Sequence, residues 1–146
     1  MDTSELIQSF SKRIGIELDA DGVCAFEADG LAVTVHELRE LEAVALIGDL
    51  GEPPPERLEG LYQVMLEANH LFGGTGGATL SRDPATGRFA LCRTLAGASL
   101  TSDGLYAEVE RFVSTMEVWA RNIADFRRAP SSDNEVEAMR PGALRV

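Results

Sequence analysis

The chain has 146 residues, 45% of them hydrophobic, and a formal net charge of −11. That length supports one domain with a substantial core, and no apolar run approaches a membrane span, so the sequence reads as soluble and globular. Residues 1–72 carry 15 Asp and Glu against 4 Lys and Arg, while residues 73–146 carry nine of each; the excess acid therefore lies in the first half. Such a surface disfavours nucleic acid and anionic lipid and suits a basic or neutral polypeptide.

The opening MDTSELIQSF is acidic and amphipathic, without the basic flank and apolar block of a signal peptide. Asp2, Thr3 and Ser4 offer an N-cap, Leu6, Ile7, Phe10 and Ile14 form an apolar stripe, and Gly15 ends a first helix. Val23 to Ala28 reads as a strand, Asp29-Gly30 as a tight turn and Leu31 to His36 as the returning strand. Leu31, Val33 and Val35 fall on one face, and Ala32, Thr34 and His36 on the other. Residues 43–50, AVALIGDL, form a third strand that is apolar on both sides, which predicts cover on both faces.

After the proline-rich break Gly51 to Pro55, a second helix is predicted from about Glu56 to Phe72, with Pro55 at its start. Leu58, Leu61, Tyr62, Met65, Asn69 and Phe72 share one face, and Val64, Ala68 and Leu71 a second. Two apolar faces predict a second partner for this helix, a copy of itself, with Leu61, Val64, Ala68 and Leu71 at the contact. Gly73, Gly74, Gly76 and Gly77 then make a close-packed helix-to-strand turn. They do not make a P-loop: the strand and helix are in the wrong order and Ala78-Thr79 stands where a lysine belongs.

Ala78 to Arg82 and Arg88 to Leu95 read as a second hairpin around Asp83-Pro84-Ala85-Thr86-Gly87. A last helix, capped by Ser102 or Asp103 and ending near Arg128, carries the stripe Leu105, Val109, Phe112, Val113, Met116, Trp119, Ala120 and Ile123. Residues 129–146 read as a polar, loosely ordered tail. The order helix, three strands, helix, two strands, helix predicts an α+β domain over residues 1–128, an antiparallel sheet packed with helices.

Chemistry is sparse in this sequence. Cys24 and Cys92 read as buried, reduced thiols, and neither they nor His36 and His70 have metal-ligand spacing. No nucleophile, base and oxyanion donor stand together, so neither catalysis nor a cofactor or metal is expected.

The residues Leu66-Glu67-Ala68-Asn69, Thr75-Gly76-Gly77-Ala78-Thr79-Leu80, the hairpin Asp83 to Arg88, the segment Leu95 to Leu105, Phe112-Val113 and Glu117-Val118-Trp119 together resemble the class I type III secretion chaperones of the CesT (Tir chaperone) family, to about Ile123. The resemblance implies a small acidic homodimer of the bacterial cytoplasm without enzymatic activity. It would hold the N-terminal region of a secreted effector extended and ready for export, with secretion-apparatus components as further partners. Two rival readings are a regulator of the same fold that sequesters a control protein, and a small-ligand or catalytic domain using the glycine loop. For the effector, Leu6, Ile7 and Phe10 with Val33, Val35, Leu46 and Ile47 are expected to line a shallow groove between the first helix and the sheet. An extended client would lie there and add a strand to an exposed edge.

Overall fold

The computed structural model describes residues 1–128. Helix α1 (Thr3–Ile14) starts at a capping box in which Asp2 Oδ1 accepts from the Glu5 N–H at 2.8 Å and Glu5 Oε2 accepts from the Asp2 N–H at 2.9 Å. It stops at Gly15, whose φ of 74° suits a residue without a side chain. Its stripe of Leu6, Ile7 and Phe10 is buried.

Strands β1 (Cys24–Ala28) and β2 (Leu31–Leu38) form the expected hairpin, with Asp29 and Gly30 both at positive φ in the turn. A short 3-10 turn, Arg39–Leu41, leads to β3 (Ala43–Gly51). Beyond α2 (Leu58–Asn69) lies a second 3-10 turn, His70–Phe72, and then β4 (Thr79–Arg82) and β5 (Phe89–Ala96). Helix α3 (Ser102–Arg128) follows; Thr101 Oγ1 accepts from the Gly104 N–H at 2.9 Å and caps it one residue before the predicted caps. The five strands form one antiparallel sheet in the order β1-β2-β3-β5-β4. This is the α+β architecture read from the sequence.

Register sorts the side chains. Phe26, Val33, Gly48, Leu91 and Leu80 run across the strands on one face. On that face lies the core, shared with Leu6, Ile7 and Phe10 of α1, Leu61, Val64 and Ala68 of α2, and Leu105, Met116 and Trp119 of α3. Helix α3 lies so close to β3 that a Cβ at Gly48 would stand 2.6 Å from the Met116 sulfur. The other face carries mostly small side chains: Ala32 and Thr34, Ala45 and Ile47, Ala90 and Cys92. No helix among the described residues covers it, so the predicted cover on both sides of β3 is not met by them: Ile47 retains 36% of its surface.

Helix α2 begins later than predicted, at Leu58; Pro55 stays in the preceding loop and Arg57 enters with φ 60°. It closes the β4 end of the sheet. Asn69 binds Leu80 twice, its amide donating to the Leu80 C=O at 3.0 Å and its oxygen accepting from the Leu80 N–H at 2.8 Å. The glycine knot is a packed turn, as expected: Gly77 has φ 97°, and a Cβ at Gly74 would come within 2.8 Å of the Ala68 Cβ. The Gly74 carbonyl accepts from the Trp119 indole N–H at 2.8 Å in the interior. Cys24 is buried as expected, but Cys92 is only half-buried, because it lies on the uncovered face. The expected polar tail, 129–146, lies outside the described residues.

Replacing Asn69 by Ala leaves the Leu80 N–H and C=O without their side-chain partner. The expected cost is about 1–3 kcal/mol for each group left unsatisfied. It would be read as a lower urea midpoint at unchanged m-value.

Candidate functional site

Three surfaces of this fold offer apolar area beyond the needs of the core. The first is a groove of about 290 Å³ between α1, β1 and α3, lined by Phe10, Ile14, Phe26, Tyr106, Val109 and Val113, with Glu110 and Ser114 at its rim. The Phe10 ring packs at 5.9 Å against Phe26 and 6.2 Å against Tyr106, both tilted. Arg13 spreads its guanidinium 3.9 Å above the Tyr106 ring while pairing with Asp103 at 2.9 Å, and so joins the ends of α1 and α3 beside the groove. Strand β1 borders it as a sheet edge, with one side paired to β2 and the other facing outward among the described residues.

The second surface is the uncovered sheet face. A hollow of about 230 Å³ lies there over Ala32, Thr34, Ile47 and Ala90, walled by Asp49, Asp83 and Arg88. The Arg88 guanidinium holds both Asp49 oxygens, at 2.9–3.2 Å, and Glu52 at 3.1 Å. Burial alone would raise the Asp49 carboxyl, but the Arg88 hydrogen bond, the Gly51 N–H and the Arg88 charge together hold it below the usual value. The same pairing pushes the Arg88 guanidinium above its usual value.

The third is the outer side of α2 and its 3-10 extension. Leu66 is 70% exposed and Leu71 85%, and Phe72 also stands in solvent. Leu71 and Phe72 both sit at positive φ, 52° and 57°, a conformation costly for large side chains.

The expected contact residues move accordingly. Leu6, Ile7, Val33, Val35 and Leu46 are at most 1% exposed and belong to the core. They are covered there because α1 and α3 pack directly onto that sheet face. Phe10, 2% exposed, forms the floor of the groove, and Ile47 alone of the seven presents substantial surface, on the opposite side of the sheet. The two apolar faces read for α2 both turn inward: Leu61 and Met65 of one, and Val64 and Ala68 of the other, are buried. Of the four residues assigned to a second copy, only Leu71 faces out. Phe26, Tyr106 and Val113 were not singled out for the groove. Tyr106 lies three residues before Val109 and seven before Val113, both on the α3 stripe, a helical spacing available in the sequence.

Among the described residues no three His, Cys, Asp or Glu gather to hold a metal, and no helix is long and apolar enough to cross a membrane.

Comparison with known proteins fits this arrangement. The model of the Tir chaperone protein (CesT) family matches residues 5–120. The chain belongs to that family. Solved structures agree in fold: a chain of the ExsC–ExsE complex is 24% identical, covering 84% of this chain and 97% of its own length at TM-score 0.67. A chain of the HopA1–SchA chaperone–effector complex is 21% identical, covering 80% and 91% at TM-score 0.63. The Yersinia pestis type III secretion chaperone SycH in complex with a fragment of YscM2 gives 18% identity, 78% and 96% coverage and TM-score 0.57. No curated protein matches the chain by sequence. As a member of this family the chain is a chaperone of the Tir type, and its fold is the one seen in solved structures of type III secretion chaperones.

The Asp49–Arg88 pair has a defined pH signature. A carboxyl held low in the folded chain contributes stability above its unfolded pKa and loses it as pH falls through the folded one. Asp49→Asn should therefore be least stable relative to the parent near neutrality. The gap in urea midpoint should narrow as pH is lowered from about 7 to about 3.

Proposed function

We propose that this chaperone binds the N-terminal region of a secreted effector in the bacterial cytoplasm and keeps it extended until export. The observation that carries the reading is the Phe10–Phe26–Tyr106 groove lying alongside the free edge of β1. An extended segment paired to that edge presents alternate side chains to one side, where the groove accepts an apolar one, and its backbone completes the ladder. The uncovered face around Ile47 then takes the continuation of the same chain. The acidic first half of the sequence speeds capture of a basic or neutral client and adds little to the final affinity.

Two substitutions separate binding from folding. Phe10→Ala removes buried core and should cost roughly 3–5 kcal/mol of stability, whatever it does to the client. Val113→Ser, at a half-buried position of the groove wall, should leave melting nearly unchanged. It should weaken binding of an effector N-terminal region that the parent binds at least ~10-fold, or ~1.4 kcal/mol, by titration calorimetry. Unchanged affinity in Val113→Ser would exclude the groove.

The protein acts as a homodimer in this proposal, through Leu66, Leu71 and Phe72. Burial of these residues by a symmetry mate relieves their exposure and makes the strained backbone at Leu71 and Phe72 worth holding. Light scattering should return twice 15.7 kDa for the parent and 15.7 kDa for Leu66→Asp/Leu71→Asp. A parent that stays monomeric at tens of micromolar would rule the dimer out.

A further inference from the structure

We propose that the free edge of β1 reads the sequence of its client: it takes an extended segment that sets an apolar side chain opposite Phe26 and basic side chains opposite Glu27 and Ala28. This specificity rests on the docking edge proposed above and adds the chemistry of what docks there.

Backbone geometry leaves one edge of the sheet open. Asp29 and Gly30, both at positive φ, make a two-residue turn, so the flanking pair Ala28 and Leu31 is hydrogen-bonded and the bonds alternate from there. The N–H and C=O groups of Phe26 therefore face β2, and those of Ala25 and Glu27 face away from it. The opposite edge is closed. The β4–β5 hairpin is held by the Asp83 N–H on the Arg88 C=O at 2.8 Å, and alternation from that pair turns Arg82 and Leu80 outward from β4. Asn69 already binds both backbone groups of Leu80. Among the described residues, β1 alone offers a run of unpaired strand backbone.

Charge then decides what fits. An added strand carries its side chains to alternate faces, each about 4.5–5.5 Å from its partner on β1. The residue opposite Phe26 enters the groove beside Tyr106 and Val113. Its neighbour opposite Glu27 lies on the uncovered face, where the Glu27 carboxylate stands exposed. The next residue, opposite Ala28, returns to the groove side and meets the turn. There Glu117, one helical turn beyond Val113, shares a hydrogen bond between carboxyls with Asp29. That bond, burial and the Asp29 charge push the Glu117 carboxyl above its usual value, and Arg121 offsets them in part. Two carboxyls that need a proton between them gain from an ammonium or guanidinium that takes the proton's place. Glu110 adds another carboxylate at the groove rim, whereas Arg13 is spent on Asp103 and Tyr106 at the far end. These are contacts at strand spacing, distinct from the diffuse field of the acidic half.

A tethered probe strand tests the match. The segment Thr-Lys-Lys-Leu-Lys-Lys-Thr, which reads alike in both directions, is joined ahead of Met1 through a flexible Gly/Ser linker of about 30 residues, with an r.m.s. reach of about 30 Å. A second chain carries the same segment with Glu in place of every Lys. Docking is read as protection of the Ala25 amide from hydrogen exchange, and the Leu80 amide, held by Asn69, reports that each chain is folded. The lysine segment should protect Ala25 at least ~10-fold more than the glutamate segment. Glu27→Gln/Glu117→Gln should shrink that ratio to within about threefold. Glu40→Gln/Glu59→Gln, with the same net charge but altered on the 3-10 turn after β2 and on α2, should keep it. Equal protection by the two segments in the parent would overturn the specificity while leaving β1 as a docking edge. So would a ratio that falls equally in both variants, which would assign the preference to net charge. Absence of Ala25 protection with either segment would remove the docking edge itself, and the specificity with it.

Discussion

The fold depends on the clamp around the glycine turn that joins α2 to β4. The Trp119 indole N–H reaches across from α3 to the Gly74 carbonyl, and Asn69 holds both backbone groups of Leu80. These bonds tie the three parts of the C-terminal half (α2, the β4–β5 hairpin and α3) at one place. Gly74 must lack a side chain because the Ala68 methyl already fills the space. Without this clamp α2 would be held to the sheet by its inward apolar stripe and by Tyr62, which meets Arg82 and Phe89, and its C-terminal end would lose its anchor.

A second constraint is that all the helices lie on one side of the sheet. An antiparallel sheet tolerates water on one face, usually by alternating apolar and charged residues. Here the open face is paved with alanine, threonine and cysteine, and its one large apolar side chain is Ile47. Of the charged groups on it, Asp49 and Arg88 are spent largely on each other, and Glu27 stands exposed toward its β1 edge. The result is a face that water covers without strong hydrogen-bonding competition, suited to an extended chain laid across it.

Element order, hairpins, the N-cap region of α1 and the one-sided alternation of β2 were legible in the sequence, because each rests on local signals: Asp2 to Ser4, Asp29-Gly30, the stripe of α3. The location of the sites was less so. Leu6, Ile7, Val33, Val35 and Leu46 look like spare apolar surface in one dimension; their burial by α3, which arrives some 70 residues later in the chain, is a tertiary fact that periodicity does not carry. The apolar residues of α2 were visible, but not that both faces turn inward and that the outward apolar side chains are Leu66 and those beyond the break after Asn69, where Leu71 and Phe72 enter the left-handed region and leave the helical pattern. Helical spacing carried past that break assigned Phe72 to the wrong company.

Helix α3 also sets a length scale. It runs without interruption from Tyr106, at the groove, to Phe126, beside the loop that binds Arg88. At 1.5 Å per residue that interval is about 30 Å, and a straight helix of this kind does not shorten on demand. An extended polypeptide covers the same distance in roughly nine residues. The helix is thus a ruler: a segment that fills the groove at one end and the hollow at the other needs two apolar anchors at least that far apart in its own sequence, and a chain with more closely spaced anchors can satisfy only one of them at a time.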